Sequence, residues 1–390
     1  MSEEQIPVLI VAGEASGDLH AASLVRELSA AGDFAFFGSA GEKMRAEGVE
    51  PTVRADGLAI VGLLEIGRAL PMFWGVYKKL IAEAERRDAK LAILVDFPDF
   101  NMKLAKALKK RGVTVVYYIS PQLWAWRKYR INTIKKYVDL VISILPFEKD
   151  WYATNGVEHV EYVGNPLAME VHADSSKEVF CERHGLDPSR PIVSLLPGSR
   201  GAEISRILPV LVETAGVMLE ERPEMQFVVA LPTGKLSGKL GDGARGTRAL
   251  QSLGRGTAPD AVTWVEGETF DALNASDAAA ITSGTATLEA GILGTPMAIV
   301  YKTSAINYKL LRPLIDVEHF GLINLIAGKR VAAELIQDDF TPQTLSDELF
   351  RLLEPAVNTF VREDLTAAVD KLGHGGASKR AADAILELVC

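Results

Sequence analysis

Four short segments of the chain put small residues beside a carboxylate, hydroxyl or guanidinium, and each directly follows an apolar run. The first is Gly13-Glu14-Ala15-Ser16-Gly17-Asp18, after Pro7–Ala12. At such a strand-to-helix turn the backbone N–H groups and the helix dipole can receive an anion or a polar sugar. Gly13, Ser16 and Gly17 are the candidate contacts, and a tight structural turn explains the glycines equally well. The segment does not match G-x-G-x-x-G, so a dinucleotide fingerprint is absent. His20, one turn on, reads as a packing residue.

The second segment is Asp96-Phe97-Pro98-Asp99-Phe100-Asn101, after Leu91–Val95. Asp96 stands where a strand ends and can project into the crevice there as the chemical residue of the segment. Asp99 is placed to cap the next helix. Both aspartates could instead be structural, or form a metal-binding pair, although no further Asp/His cluster accompanies them. The third segment, Leu196-Pro197-Gly198-Ser199-Arg200-Gly201-Ala202-Glu203, suits a diphosphate. Gly198 and Gly201 allow close backbone approach, Ser199 adds donors, and Arg200 can fork onto phosphate. The fourth is Thr282-Ser283-Gly284-Thr285-Ala286-Thr287-Leu288-Glu289. Thr285 and Glu289 are four apart and share a helix face. Ser283, Gly284 and Thr285 can meet phosphate, and Glu289 can accept ribose hydroxyls. A solvent-facing role for Glu289 is weakened by its apolar neighbours.

The elements that must hold these loops are legible as apolar strands alternating with amphipathic helices. Pro7–Ala12, Leu91–Val95, Val113–Ile119 and Leu140–Leu145 form one series. Ile192–Leu196, Phe227–Leu231, Val262–Val265, Ala278–Thr282 and Met297–Tyr301 form a second. Strands apolar throughout belong to parallel sheets covered on both faces. The pattern predicts two doubly wound α/β domains, residues 1–166 and 167–390, parted near Gly164-Asn165-Pro166, with the C-terminal helices able to pack back on the first domain or on a partner subunit. In such sheets ligands sit beyond the carboxyl ends of the strands, where all four loops fall. Thr233–Gly256 carries seven glycines and reads as a surface segment. Ser378–Leu388 reads as a helix with Ala381, Ala384, Ile385 and Leu388 on one side.

Composition narrows the class. At 390 residues the chain exceeds one ordinary core. Its 42 Lys and Arg against 51 Asp and Glu leave a net charge of −9, which argues against a dedicated nucleic-acid binder. Two cysteines, Cys181 and Cys390, give neither a disulfide framework nor zinc spacing. The acidic Met1-Ser2-Glu3-Glu4 lacks a signal peptide's basic start, and no run of ~20 uncharged apolar residues would span a membrane. A cytoplasmic protein is the expectation.

With these loops in view, the sequence resembles the lipid-A-disaccharide synthases. The matching stretches are VAGEASGDLH, LVDFPDFN, YYISPQLWAWRKYR, ILPFEKDWY, YVGNP, LLPGSRGAEI, SGTATLEAGILGTPM and INLIAG, from Val11 to Gly328. The resemblance implies a GT-B fold, two Rossmann-like domains facing across a cleft. It implies a UDP-2,3-diacylglucosamine donor on the C-terminal side and a 2,3-diacylglucosamine 1-phosphate acceptor. The product would be a β-1′,6-linked disaccharide 1-phosphate plus UDP, formed with inversion and with no metal or other cofactor. Peripheral contact with the inner face of the cytoplasmic membrane follows, and so do dimers that exchange C-terminal segments. By the same resemblance Asp96 is the general base. Ser16 and its glycine neighbours form the N-terminal active-site loop, and Arg200, Glu289 and Asn324 belong to the donor pocket. Asn324 here follows Ile323 where the family carries Pro.

Two further stretches bear on acylated substrates. In Gly57–Ile81, Leu63, Ile66, Leu70 and Phe73 recur at helical spacing with Trp74 and Tyr77 beside them. Glu65, Arg68 and Pro71 exclude a membrane span. The stripe is either core or a face offered to lipid. Trp126, Arg127, Lys128 and Arg130 belong to a basic aromatic stretch suited to anionic lipid or to the acceptor's 1-phosphate; RNA contact and a solvated face are the alternatives. Two other functions share parts of this pattern. A UDP-N-acetylglucosamine 2-epimerase has the same architecture without use for a lipid-facing helix, and a non-catalytic sugar-nucleotide scaffold would have no use for Asp96.

Overall fold

A computed structural model of the chain describes residues 5–55, 66–234, 262–304, 308 and 317–389, the helix turn 66–70 as backbone only. It divides into two units, residues 1–166 with 374–390, and residues 167–373.

In the first unit seven strands form one parallel sheet. They are β1 (Ile6–Val11), β2 (Phe34–Ala40), β3 (Glu50–Arg54), β4 (Leu91–Val95), β5 (Thr114–Tyr118), β6 (Leu140–Ser143) and β7 (Val160–Tyr162), in the order β3-β2-β1-β4-β5-β6-β7. The register β1 to β4 pairs Val11 with Leu94. Every side chain of β4 is buried, because helices cover both faces. One face packs Leu9, Leu94, Leu104, Leu108 and Tyr117. The other packs Ile10, Leu24, Val25, Ile93 and Tyr118, together with Ala381, Ala382 and Ile385 of the helix Ala377–Val389. That terminal helix is pinned by Arg380 Nε, which donates to the Val163 carbonyl at 2.8 Å. Leu388, expected on its buried side, is exposed.

The second unit repeats the design. Its described strands are β8 (Ile192–Leu196), β9 (Gln226–Leu231), β10 (Val262–Glu266), β11 (Ala278–Thr282), β12 (Met297–Tyr301) and β13 (Ala333–Ile336), all parallel, in the order β10-β9-β8-β11-β12-β13. Counted within each unit, the sheets run 3-2-1-4-5-6-7 and 3-2-1-4-5-6, so each reverses direction once, between β1 and β4 and between β8 and β11. A doubly wound sheet opens a crevice at that reversal, outside the carboxyl ends of its strands. The four loops singled out by residue type follow β1, β4, β8 and β11.

Candidate active site

The loop after β1 turns half of its residues inward. Gly13, Gly17 and Asp18 are buried, whereas Glu14 and Ser16 are exposed. A Cβ on Gly13 would lie 2.5 Å from the Phe97 ring, so only glycine lets the β1 and β4 loops close on each other. Asp18 accepts from the backbone N–H groups of Gly41 at 2.7 Å and Lys43 at 2.9 Å, a structural task. The face left open is Glu14-Ala15-Ser16 at the start of the 17-residue helix Ala15–Ala31.

Asp96 is half-buried at the end of β4. It and Phe97 both have left-handed backbones, with φ of 47° and 49°, unusual for residues other than glycine. The surroundings fix them there. The Asp96 N–H donates to the Tyr118 carbonyl at 3.0 Å. The Asp96 carbonyl accepts from Tyr117 Oη at 2.7 Å and from Asn101 Nδ2 at 2.9 Å. Phe97 wedges between Gly13 and the rings of Phe73 and Phe100, at centroid distances of 6.0 and 5.4 Å. Burial pushes the Asp96 carboxyl above its ordinary range, and the negative charge of Glu14 pushes the same way. The Phe97 N–H and His20 oppose them. A carboxylate so placed holds a proton more avidly than one in water, as a general base requires.

Asp99 does not cap the helix Pro98–Lys109, whose first residues have no side-chain cap. It instead pairs with Arg127 at 2.9 Å and with Arg130. Those two arginines, read from sequence as acceptor or lipid contacts, are thereby tied to the Asp96 loop. Arg127 also lies on the Trp126 ring, 4.1 Å from its centroid, while Trp126 and Lys128 are exposed. Behind this loop Trp124 is buried, and its indole N–H donates to Glu148 Oε1 at 3.0 Å. Glu148 is buried too, and desolvation raises its carboxyl to about 7. Glu148 was not singled out from sequence, since it resembles any acidic first residue of a helix.

On the second unit, Gly198 has φ 102°, and a Cβ there would meet Glu203 Oε2 at 2.8 Å. That close approach seats Glu203 under the loop, where its Oε1 accepts from Arg200 Nη1 at 3.1 Å. Ser199 and Arg200 are exposed, and Arg200 precedes the 21-residue helix Gly201–Glu221. After β11, Gly284 and Thr285 are exposed and Ser283 is half-buried, its hydroxyl donating to the Phe320 carbonyl at 3.0 Å. Glu289 is half-buried one turn later, and desolvation raises its carboxyl. Asn324 differs from the other donor candidates. It is buried, and its amide bonds to Val331 N, Ala332 N, Ala332 O and Glu334 Oε1, all at 2.8–2.9 Å.

The helix Ile66–Arg86 carries the aromatic stripe. Phe73 packs on the core cluster, whereas Trp74 is 57% exposed, stacks on Tyr77 and lies under Lys78. Met72 is exposed beside it. Leu63, the side chain of Leu70 and most of Thr233–Gly256 fall outside the described residues. Among the described residues no helix is long and apolar enough to cross a membrane, and no cluster of three metal-ligating side chains occurs.

Comparison with known proteins gives the family and the fold. The family model described as lipid-A-disaccharide synthetase matches residues 8–388. A lipid-A-disaccharide synthase of Myxococcus xanthus is 42% identical over 384 residues, 98% of this chain and 97% of that protein. One from Trichlorobacter lovleyi is 41% identical with the same coverage. Among solved structures, a putative UDP-N-acetylglucosamine 2-epimerase from Listeria monocytogenes aligns with TM-score 0.67 at 15% identity, over 99% of this chain and 97% of that one. The calicheamicin glycosyltransferase CalG4 aligns with TM-score 0.56 at 14% identity, over 99% and 98%. These two likenesses establish the GT-B fold; the sequence relatives establish the family. The chain belongs to the lipid-A-disaccharide synthase family, whose members are glycosyltransferases.

Proposed function

We propose that the chain joins UDP-2,3-diacylglucosamine to 2,3-diacylglucosamine 1-phosphate as an inverting glycosyltransferase, with an acceptor half-site on the first unit and a donor half-site on the second. The carrying observation is that the four loops chosen for their chemistry follow the four strands flanking the two sheet reversals. In the reaction the acceptor's 6-hydroxyl attacks the donor's anomeric carbon. The bond from that carbon to the diphosphate oxygen breaks, and UDP leaves with its electron pair. Asp96 takes the hydroxyl proton. The Gly198–Ser199 backbone, the dipole of the helix Gly201–Glu221 and the Arg200 guanidinium stabilise the departing charge. Arg200 must exchange its present partner Glu203 for phosphate, which its exposure permits. Glu289 accepts the ribose hydroxyls, with Ser283, Gly284 and Thr285 beside it. Ser16 and the backbone from Gly13 to Gly17 line the acceptor side.

Acylated substrates call for a lipid surface, and the exposed Met72 and Trp74 with Lys78 suit peripheral docking to the inner face of the cytoplasmic membrane. Trp126 and Lys128 can add to that contact. A homodimer exchanging C-terminal segments is read from the family alone; a monomer mass in solution would count against it. Release of UDP separates the transferase from an epimerase. In the transferase it depends on an acylated acceptor; release without acceptor, or conversion of the UDP-sugar alone, contradicts the reading.

A further inference from the structure

Glu334 lies on β13, two strands away from the loop that carries Ser283, and matches none of the stretches that marked the family. Its carboxylate gathers three donors. The Phe320 N–H lies 3.0 Å from each oxygen, the Gly321 N–H 2.9 Å from Oε1, and Asn324 Nδ2 also 2.9 Å from Oε1. Among the described residues no lysine or arginine bridges this carboxylate. It therefore serves backbone geometry, and N–H bonds to an ionised acceptor are the stronger kind. The opposite side of the same peptide segment faces the donor loop, because the Phe320 carbonyl accepts the Ser283 hydroxyl at 3.0 Å. The Ser283 N–H is fixed in turn by the Val300 carbonyl at 2.9 Å. Asn324 completes the frame. Its amide has no hydrogen-bonding capacity left for a ligand, since two acceptor sites and two donors are used inside the fold.

We infer that Glu334 is a positioning residue of the donor half-site: it holds Phe320-Gly321 so that the Phe320 carbonyl orients the Ser283 hydroxyl, and Asn324 serves the same frame rather than touching the nucleotide. The inference rests on the donor reading of the Ser283–Thr285 loop. Removing the charge replaces an acceptor oxygen by an NH2 group facing N–H donors, so the segment must shift. The loss expected in UDP affinity is about tenfold, the scale of one charge-assisted hydrogen bond.

The test is calorimetric UDP binding to the full chain as Glu334→Gln, Ser283→Ala and the double variant, with donor KM and kcat measured alongside. Each single variant should weaken UDP about tenfold and raise the donor KM while leaving the acceptor KM unchanged. The double variant should be no worse than either single one, because both act through one contact. A general loss of stability would not produce that split or that lack of additivity. If Ser283→Ala weakens UDP and Glu334→Gln does not, the inference is overturned and the donor reading stands. Additive losses overturn the route through Ser283. If neither variant changes UDP affinity, the donor reading of this loop fails and takes the inference with it. Should Glu334→Gln not fold, Glu334→Asp, which keeps the charge on a shorter reach, is read by the same outcomes.

Discussion

Replacing Glu148 by Gln should change how the first unit's stability depends on pH. In the folded chain this carboxyl is buried beside Trp124 and titrates near 7, against an ordinary value of 4.5. The folded state therefore binds a proton more tightly than the unfolded one. Its contribution to stability is complete below pH 4.5 and is lost as the pH rises through about 7. The difference between those two values corresponds to about 3 kcal/mol. Glutamine can accept the Trp124 indole N–H through its amide oxygen and does not titrate. The gap between wild type and Glu148→Gln should then move by about 3 kcal/mol between pH 4.5 and pH 8, in favour of the variant at the higher pH. Other titrating groups, including Asp96 and Glu289, are common to both chains and cancel in the comparison. Urea unfolding followed by tryptophan fluorescence reads this directly, because Trp74, Trp124, Trp126 and Trp151 all lie in the first unit. Two stability curves that stay parallel from pH 4.5 to pH 8 would show that Glu148 is not held as a neutral acid.

Asp96→Asn should lower kcat by ~100- to 10,000-fold while calorimetric UDP affinity stays within error; a near-normal rate removes Asp96 from the mechanism. Arg200→Ala and Glu289→Ala should each weaken UDP by about 1–3 kcal/mol with the fold intact, and unchanged affinity in both refutes the donor pocket. Trp74→Ser should reduce liposome co-sedimentation at constant Tm, because the ring is mostly exposed. Phe73→Ser should lower Tm, because that ring packs on the core. A Tm drop for Trp74→Ser equal to that for Phe73→Ser would count against a docking face.

The central strands were readable because burial on both faces leaves an unbroken apolar run. Leu91–Val95, Ile192–Leu196, Ala278–Thr282 and Met297–Tyr301 stand at the predicted bounds. Strands at or near the edges carried weaker signals. Glu50–Arg54 holds a proline and two charges on one edge, Val160–Tyr162 has three residues, and Ala333–Ile336 ends the other sheet with a half-buried glutamate. Phe34–Ala40, although inner, mixes Phe with Ala, Gly and Ser and lacks a β-branched run. The placement of the four loops was legible because each closes an apolar strand with the small residues that a strand-to-helix turn uses. Partnerships across the fold were not. Asp99 looked like a cap, but its partners are 28 and 31 residues away. Trp124 and Glu148 are separated by 24 residues, and nothing local to either indicates the other. Asn324 and Glu334 lie ten residues apart, in a helix and a strand whose packing alone brings them together.

The most direct measurement is mass spectrometry and NMR of what the purified chain makes from UDP-2,3-diacylglucosamine and 2,3-diacylglucosamine 1-phosphate. A tetraacyl disaccharide 1-phosphate with a β-1′,6 linkage, formed one for one with UDP and at an initial rate that falls ~100-fold or more when Asp96→Asn replaces the wild type, is the predicted result. An epimerised UDP-sugar, an α-linked product, or an undiminished initial rate from the Asp96 variant would contradict the inverting transfer with Asp96 as its base.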